Sequence, residues 1–320
     1  MKTSYVFLGW YKSDGSAPFD FDAAITANTT IKAKWLEGFV SVAAETYCAN
    51  TTLTPESEVF ISGRTVQISA LYVCEHEVTQ DEYETYCKYG GNAPNNSEGK
   101  GTNFPAYYVN WYDAVVYCNL RTIAEFGGEA ECVYSLDGVK NPANWTGIVG
   151  NENTKYCGPS TNNDDWDYNG GSDVGIKFDP TKKGYRLPTE AEWEYIARNK
   201  NTDSYTYSGS NTIGDVAWYY ENSGDNETSS NGKTHEVKKK TANGLNIYDM
   251  SGNVLEWCHD WSGGIDYSTD PLGAPSGTLR VLRGGSWSKN AGRSEVAYRG
   301  TGTPEGRVNG IGFRVVRSAN

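Results

Sequence analysis

Glycine is the residue that most restricts what this chain can fold into, with 36 in 320 positions spread along the whole length. Each one weakens a helix or strand interior and favours a turn, so long regular elements must be few. An irregular backbone then needs large side chains to fill its core, and 23 Tyr with 10 Trp supply them. The length permits one large domain with a small appendage.

Charge narrows the function. The formal net charge is -12, from 28 Lys and Arg against 40 Asp and Glu. Such a surface repels phosphate backbones and anionic head groups, which argues against nucleic acid as a partner. Lys238, Lys239 and Lys240 form the tight basic run and read as a solvated loop face. The seven cysteines, Cys48, Cys74, Cys87, Cys118, Cys132, Cys157 and Cys258, are scattered without C-x-x-C or zinc spacing. They read as small apolar core residues, with room for one or two disulfides. No apolar run is long enough for a transmembrane segment. Met1-Lys2-Thr3 lacks the apolar core of a signal peptide, so the protein is cytoplasmic or its targeting segment has been removed.

Along the chain, Tyr5–Trp10 reads as a strand, Asp14-Gly15-Ser16 as a turn, and Thr29–Trp35 as a second strand with Ile31, Ala33 and Trp35 on one face. Three helices are legible. Thr79 and Glu82 make a capping box before Tyr83, Tyr86 and Cys87. Asn110 caps a second helix, with Trp111, Ala114, Val115 and Cys118 inward and Gly127-Gly128 as its stop. Thr189 and Glu192 open a third, burying Trp193, Ile196 and Ala197. A polar stretch follows the second helix, from Gly138 to Ser172. Its Asn162–Asp167 run lacks the ligand spacing of an EF-hand and reads as a solvated loop.

Two resemblances follow from these residues. The Phe7-Leu8-Gly9-Trp10 strand, Pro18-Phe19-Asp20 and Lys34-Trp35 resemble the second half of an internalin-type β-grasp repeat, over residues 1–36. From 37 to 320, His76–Thr79, Tyr185–Tyr195, Gly252–Trp257, Arg283–Trp287 and Gly312–Arg314 resemble, in order, the formylglycine-generating-enzyme or sulfatase-modifying-factor family. That resemblance implies an α+β chain with an irregular C-type lectin fold, few helices and short strands. Arg186 and Arg283, beside turn glycines, are suited to pairing carbonyls that irregular backbone leaves over.

The family's enzymes oxidise a protein cysteine with a cysteine pair and copper just after the Arg-Gly-Gly-Ser-aromatic motif. Here Lys289 and Ser294 stand at about those positions, and no cysteine follows Cys258. Neither side chain replaces a soft thiolate, so that oxidoreductase activity is expected to be absent and no cofactor is required. His259-Asp260 beside Glu256 is the other conceivable acid–base cluster, but it directly follows a core motif. The resemblance also implies a structural calcium ion held by Asp249, the carbonyls of Gly252 and Val254, and Glu256. A tight turn with Glu256 paired to an arginine is the alternative. A second calcium site in the family uses Asn where this chain has Val216, and is expected to be lost.

Between Trp287 and Ile311 small and polar clusters interrupt structural residues. They are Ser288, Lys289 and Asn290; Gly292, Arg293 and Ser294; Tyr298; Gly300, Thr301, Gly302 and Thr303; Glu305 and Gly306; Val308, Asn309 and Gly310. Such residues suit an adaptable recognition surface. With frames at Arg283–Trp287 and Ile311–Arg314, the layout resembles the variable proteins of diversity-generating retroelements, of the treponemal kind. Those proteins vary at Asn codons rewritten at adenines. Such rewriting reaches nearly every cluster residue but not Lys289 or Glu305. The resemblance implies a non-catalytic bacterial cell-surface receptor, its variable region spanning about 280–317, with a protein or glycan ligand. A residual oxidoreductase and an adhesin without a specific ligand site are the competing readings.

Overall fold

The computed structural model describes residues 4–13, 18–48, 53–145, 175–224, 231–264 and 270–319. The expected turn at Asp14–Ser16, the Asn162–Asp167 run and Cys157 lie outside them. The chain opens with an antiparallel hairpin, β1 (Tyr5–Lys12) and β2 (Ile31–Glu37). Trp35 is exposed there and its ring meets Phe7 at 5.0 Å. The hairpin is not a free appendage: Val6 and Leu36 bury into the same core as Phe39, and the Gly38 amide donates to the Ser4 carbonyl (2.7 Å).

Next come β3 (Phe39–Val42), β4 (Glu45–Cys48), β5 (Thr65–Ile68) and β6 (Leu71–Cys74). The first helix, α1 (Gln80–Tyr86), starts at Thr79 with both halves of the capping box formed. Helix α2 (Trp111–Phe126) starts at Asn110 and stops at Gly127, whose φ of 73° is left-handed. Short strands β7 (Tyr134–Leu136) and β8 (Ile176–Phe178) pair with each other before α3 (Glu190–Ala197), capped by Thr189 and Glu192. One further turn, α4 (Ile213–Val216), carries no side-chain cap, and its sequence gave no periodic signal.

The remaining strands are β9 (Leu255–Trp261), β10 (Arg280–Arg283), β11 (Gly300–Gly302), β12 (Ile311–Gly312) and β13 (Val316–Ser318). Four form a sheet in the order β11-β10-β9-β12, and three form another in the order β13-β6-β3. The second joins the two ends of the large domain, with Val316 opposite Val73. One core surrounds α2 and includes Trp111, Tyr117, Trp257 and Phe313; the other gathers Trp193, Ile196, Cys258 and Val281.

Buried charge is extensive and paired. Arg186 grips Glu192 through two bonds (2.6 and 2.7 Å), and Arg314 grips Glu256 likewise (2.7 and 2.6 Å). Glu194 joins Arg198 to Arg283, and Glu190 pairs with Arg299 at 2.8 Å. The run at Lys238 is a correction: its ammonium is only 13 % exposed and pairs with buried Glu75. Lys240 lies 4.0 Å from the Trp218 ring centroid, so two of the three lysines cover structure and do not form a solvated face.

Removing one member of a buried pair strands its partner in low dielectric, at a cost of about 3–5 kcal/mol. Arg283→Met is expected to lower unfolding free energy by about that amount in a urea titration, since it leaves Glu194 with Arg198 alone and takes the donor from the carbonyls of Val296, Ala297 and Tyr298. A loss under about 1 kcal/mol, the range of an exposed pair, would show that the network is incidental.

Candidate ligand-binding face

The segment from Trp287 to Gly310 is held by its backbone. Gly284 and Gly285 leave β10 with φ of 93° and 75°, and a Cβ on Gly285 would come within 2.7 Å of the Arg293 carbonyl. Two features of Gly285 thus demand glycine, its conformation and the close approach. The carbonyls of Trp287 and Lys289 accept from Ser223 Oγ (2.8 Å) and the Tyr220 amide (2.9 Å). Ser251 Oγ donates to the Ser294 carbonyl (2.8 Å). Arg283 donates to the carbonyls of Val296 (3.0 Å), Ala297 (3.0 Å) and Tyr298 (2.7 Å). This is the carbonyl-pairing role its neighbouring glycines suggested.

The second half is tied to α2. The Trp111 amide donates to the Pro304 carbonyl (3.0 Å) and Asn110 Nδ2 to the Glu305 carbonyl (3.3 Å). Asp113 caps the helix by accepting from the Asn110 amide (3.0 Å). It also takes Arg307 through two bonds (2.9 and 3.0 Å). Leu255 then donates its amide to the Gly310 carbonyl (2.8 Å). With the chain fixed at these points, most side chains are spared from holding it.

Asn290, Gly292 and Arg293 are exposed, and Ser288, Lys289, Tyr298, Gly300–Gly302, Thr303, Glu305, Gly306, Val308 and Asn309 are partly so. Two expected face residues are corrected. Ser294 is 0 % exposed beneath a 3-10 turn, against Gly285, and Gly310 is buried with Ser286 3.1 Å from where its Cβ would lie. Both look in the sequence like their small exposed neighbours, because close approach of backbone leaves no mark on a small residue. Val308 is half of a correction, since it also packs on the core around α2. Asn309 Nδ2 donates to Glu98 (2.6 Å) while its carbonyl accepts from Trp287 Nε1 (3.1 Å).

A pocket of about 200 Å³ opens on this face, lined by Leu255, Lys289, Arg293, Tyr298, Arg299, Gly300 and Thr301. Leu255 and Arg299 were read as structural from the sequence, and only the fold brings them to the pocket. Burial, then the charge of Arg293, pushes the Lys289 ammonium below its ordinary range. With Lys289 in the pocket and Ser294 under the turn, the positions expected to have held the enzyme thiols carry no thiolate.

The two carboxylates among the proposed calcium ligands are already engaged within the protein. Glu256 spends one oxygen on Arg314 and the other on Arg314 and Trp193 Nε1 (2.7 Å), so the alternative reading of that residue holds. Asp249 accepts from the Lys238 amide (2.8 Å), and burial pushes its carboxyl up to about 6. The Val254 amide donates to Glu77 (3.0 Å), whose carboxyl is raised well above its usual range, first by burial and then by Asp249 and Glu256. At Val216 the side chain is buried apolar packing.

Nor do the imagined acid–base groups face a cavity. His259 is stacked on Phe178 at 4.0 Å and burial holds its pKa well down. Asp260 accepts from the Glu190 amide (2.8 Å). One grouping escaped the sequence reading: ligand atoms of Cys74, His76 and Glu82 lie within 4.8 Å of one another. The Cys-x-His spacing, across the end of β6, could have signalled it. Glu82 is already engaged as the cap partner of the Thr79 amide (2.8 Å).

A match to the sulfatase-modifying factor enzyme 1-like domain runs over residues 28–319, nearly the whole chain. The chain belongs to the sulfatase-modifying factor enzyme 1-like family. Treponema denticola variable protein 1 is a similar solved structure, with 31% identity and a TM-score of 0.67 over 92% of this chain and 98% of that one. Chaperone protein LppX of Paenibacillus barcinonensis is 34% identical over 80% of this chain and 83% of its own length. The formylglycine-generating enzyme of Streptomyces coelicolor is 35% identical over 43% of this chain. That match covers 48% of the enzyme, about half its length. The proteins this chain resembles therefore include both an enzyme and a variable protein, and the fold is the irregular α+β one described above.

Cys74, Cys87, Cys118, Cys132 and Cys258 are buried and in no disulfide. Burial pushes Cys74 up to about 12, Cys132 up to about 11, and Cys118 and Cys258 higher than an ordinary thiol. A raised thiol pKa leaves almost no thiolate at pH 8, so iodoacetamide should spare these four in the native protein and label them in urea. Peptide mass mapping reads the result; rapid native labelling of Cys258 would contradict the packing. Separately, Glu256→Gln is expected to cost about 3–5 kcal/mol equally with calcium or with a chelator. A calcium-dependent rise in Tm of the parent protein, absent from the variant, would restore the metal reading.

Proposed function

We propose that this protein is a non-catalytic receptor whose ligand-binding face is the surface displayed between Trp287 and Gly310, with Ser294 and Gly310 as part of its support. The observation that carries the reading is the division between backbone and side chain. The segment is held through its carbonyls and amides by Arg283, Ser223, Ser251 and α2, while Ser288, Asn290, Arg293 and Tyr298 keep exposed or half-exposed side chains. A surface built this way accepts changes of side chain with little cost to the fold. Tyr298 and Arg293 are its anchors, a rigid ring and a planar cation joined by a hydrogen bond (2.9 Å).

Likeness to Treponema denticola variable protein 1 over nearly the full length of both chains supports this function over an enzymatic one. Lys289 and Ser294 in place of a thiol pair support it further. The receptor would act outside a bacterial cell, where a varied face meets protein or glycan ligands.

Random substitution at Ser288, Asn290, Arg293 and Tyr298 is expected to leave Tm within about 2–4 °C of the parent, the effect of about 1 kcal/mol in a domain of this size. Ser294→Tyr and Gly310→Tyr should each abolish the cooperative transition. Equal loss of stability at exposed and buried positions would sink the division of labour. Copper binding with turnover of a cysteine-containing sulfatase peptide would replace the receptor with an oxidoreductase. Diversification itself requires a reverse transcriptase gene and a near-copy of the 287–311 coding segment, differing at adenines, beside the gene.

A further inference from the structure

The pocket on the face is lined by three cationic side chains. Lys289, Arg293 and Arg299 line it with Tyr298, Gly300 and Thr301, and no carboxylate is among the lining residues, in a chain of net charge -12. Arg299 is balanced from behind by Glu190 (2.8 Å) and Glu58 (3.3 Å). Arg293 makes no ion pair among the described residues; it donates to Tyr298 Oη (2.9 Å) and lies 5.5 Å from that ring's centroid. Its charge also acts on Lys289, which is half-buried. Cations lining one cavity favour an anion there, and a guanidinium offers a planar carboxylate two parallel donors.

A second observation says what presents the anion. The strand β11 is the outer strand of its four-stranded sheet, with β10 on its inner side. Its sequence is Gly-Thr-Gly, so no bulky side chain keeps a further strand away, and Gly300 and Thr301 form part of the pocket wall. An open sheet edge beside a side-chain pocket is the arrangement by which extended peptides are bound, the backbone supplying affinity and the pocket selecting one residue. Taking the receptor reading above as its basis, we infer that the face binds an extended segment of a protein ligand, which pairs along β11 and places a Glu or Asp carboxylate in the Lys289–Arg293 pocket.

The test is selection of a displayed library of random heptapeptides on the intact protein, in parallel with a Lys289→Met/Arg293→Met variant whose Tm confirms that it folds. The net charge of the protein biases such a library toward basic peptides, so an acidic consensus would arise against the background. The expected result is enrichment of Glu or Asp at one position by about tenfold, lost in the variant, as for a charge-assisted bond removed. Amide exchange should slow at Thr301 or Gly302 when a selected peptide is bound. Lys289→Gln alone, with a smaller loss, serves if the double variant fails to fold. A neutral or basic consensus that depends on Tyr298 overturns the carboxylate while leaving the receptor reading intact. Acidic enrichment that persists in the variant overturns the pocket. Binding of free glucuronate at Lys289 and Arg293, with no peptide selected, overturns the peptide strand.

Discussion

The guanidinium of Arg283 is the interaction on which the rest of this molecule turns. It is buried, bonded to Glu194, and donates to three successive carbonyls across the core boundary. One side chain thus fastens the C-terminal segment to α3, and it does so through main-chain atoms that every residue possesses. Glu194 is held on its other side by Arg198, and Glu190 nearby by Arg299. A hydrophobic residue could fill the same volume but could not satisfy carbonyls that leave the sheet at irregular angles.

The same economy operates at the far end of the segment. Asp113 belongs to a helix cap and to an ion pair at once, so the position of Arg307 is set by where α2 begins. Helix capping, normally a local matter, here positions a surface distant in sequence. Between the two fixed points lies the pocket, a cavity of about 200 Å³.

How much of this could be read in the sequence depended on whether the signal was local. The three capped helices were legible to the residue, because Thr79, Asn110 and Thr189 act on amides two or three positions away. The frame motifs were legible as turns around fixed arginines. The partners of those arginines were not: Arg314 meets Glu256, and Arg307 meets Asp113, across long stretches of chain. For the same reason a calcium ion was assigned to Glu256, whose oxygens the arginine already occupies. Ser294 and Gly310 were misplaced because a small residue under a tight approach and a small residue in solvent have one spelling. Leu255 and Arg299 entered the pocket only through the sheet that folds over them.

The pairing of β13 with β6 has a consequence for how the gene tolerates change. Residues 311–318 complete both sheets, and Phe313 and Val316 fill both cores. They are also translated after the entire face. A deletion or insertion that shifts the reading frame between Trp287 and Gly310 therefore destroys the closing strand along with the face. A miswritten copy would yield a chain that cannot shut its own core, leaving the cell to clear it. Only in-frame versions would close the core, so the fold itself checks the reading frame of the segment before it.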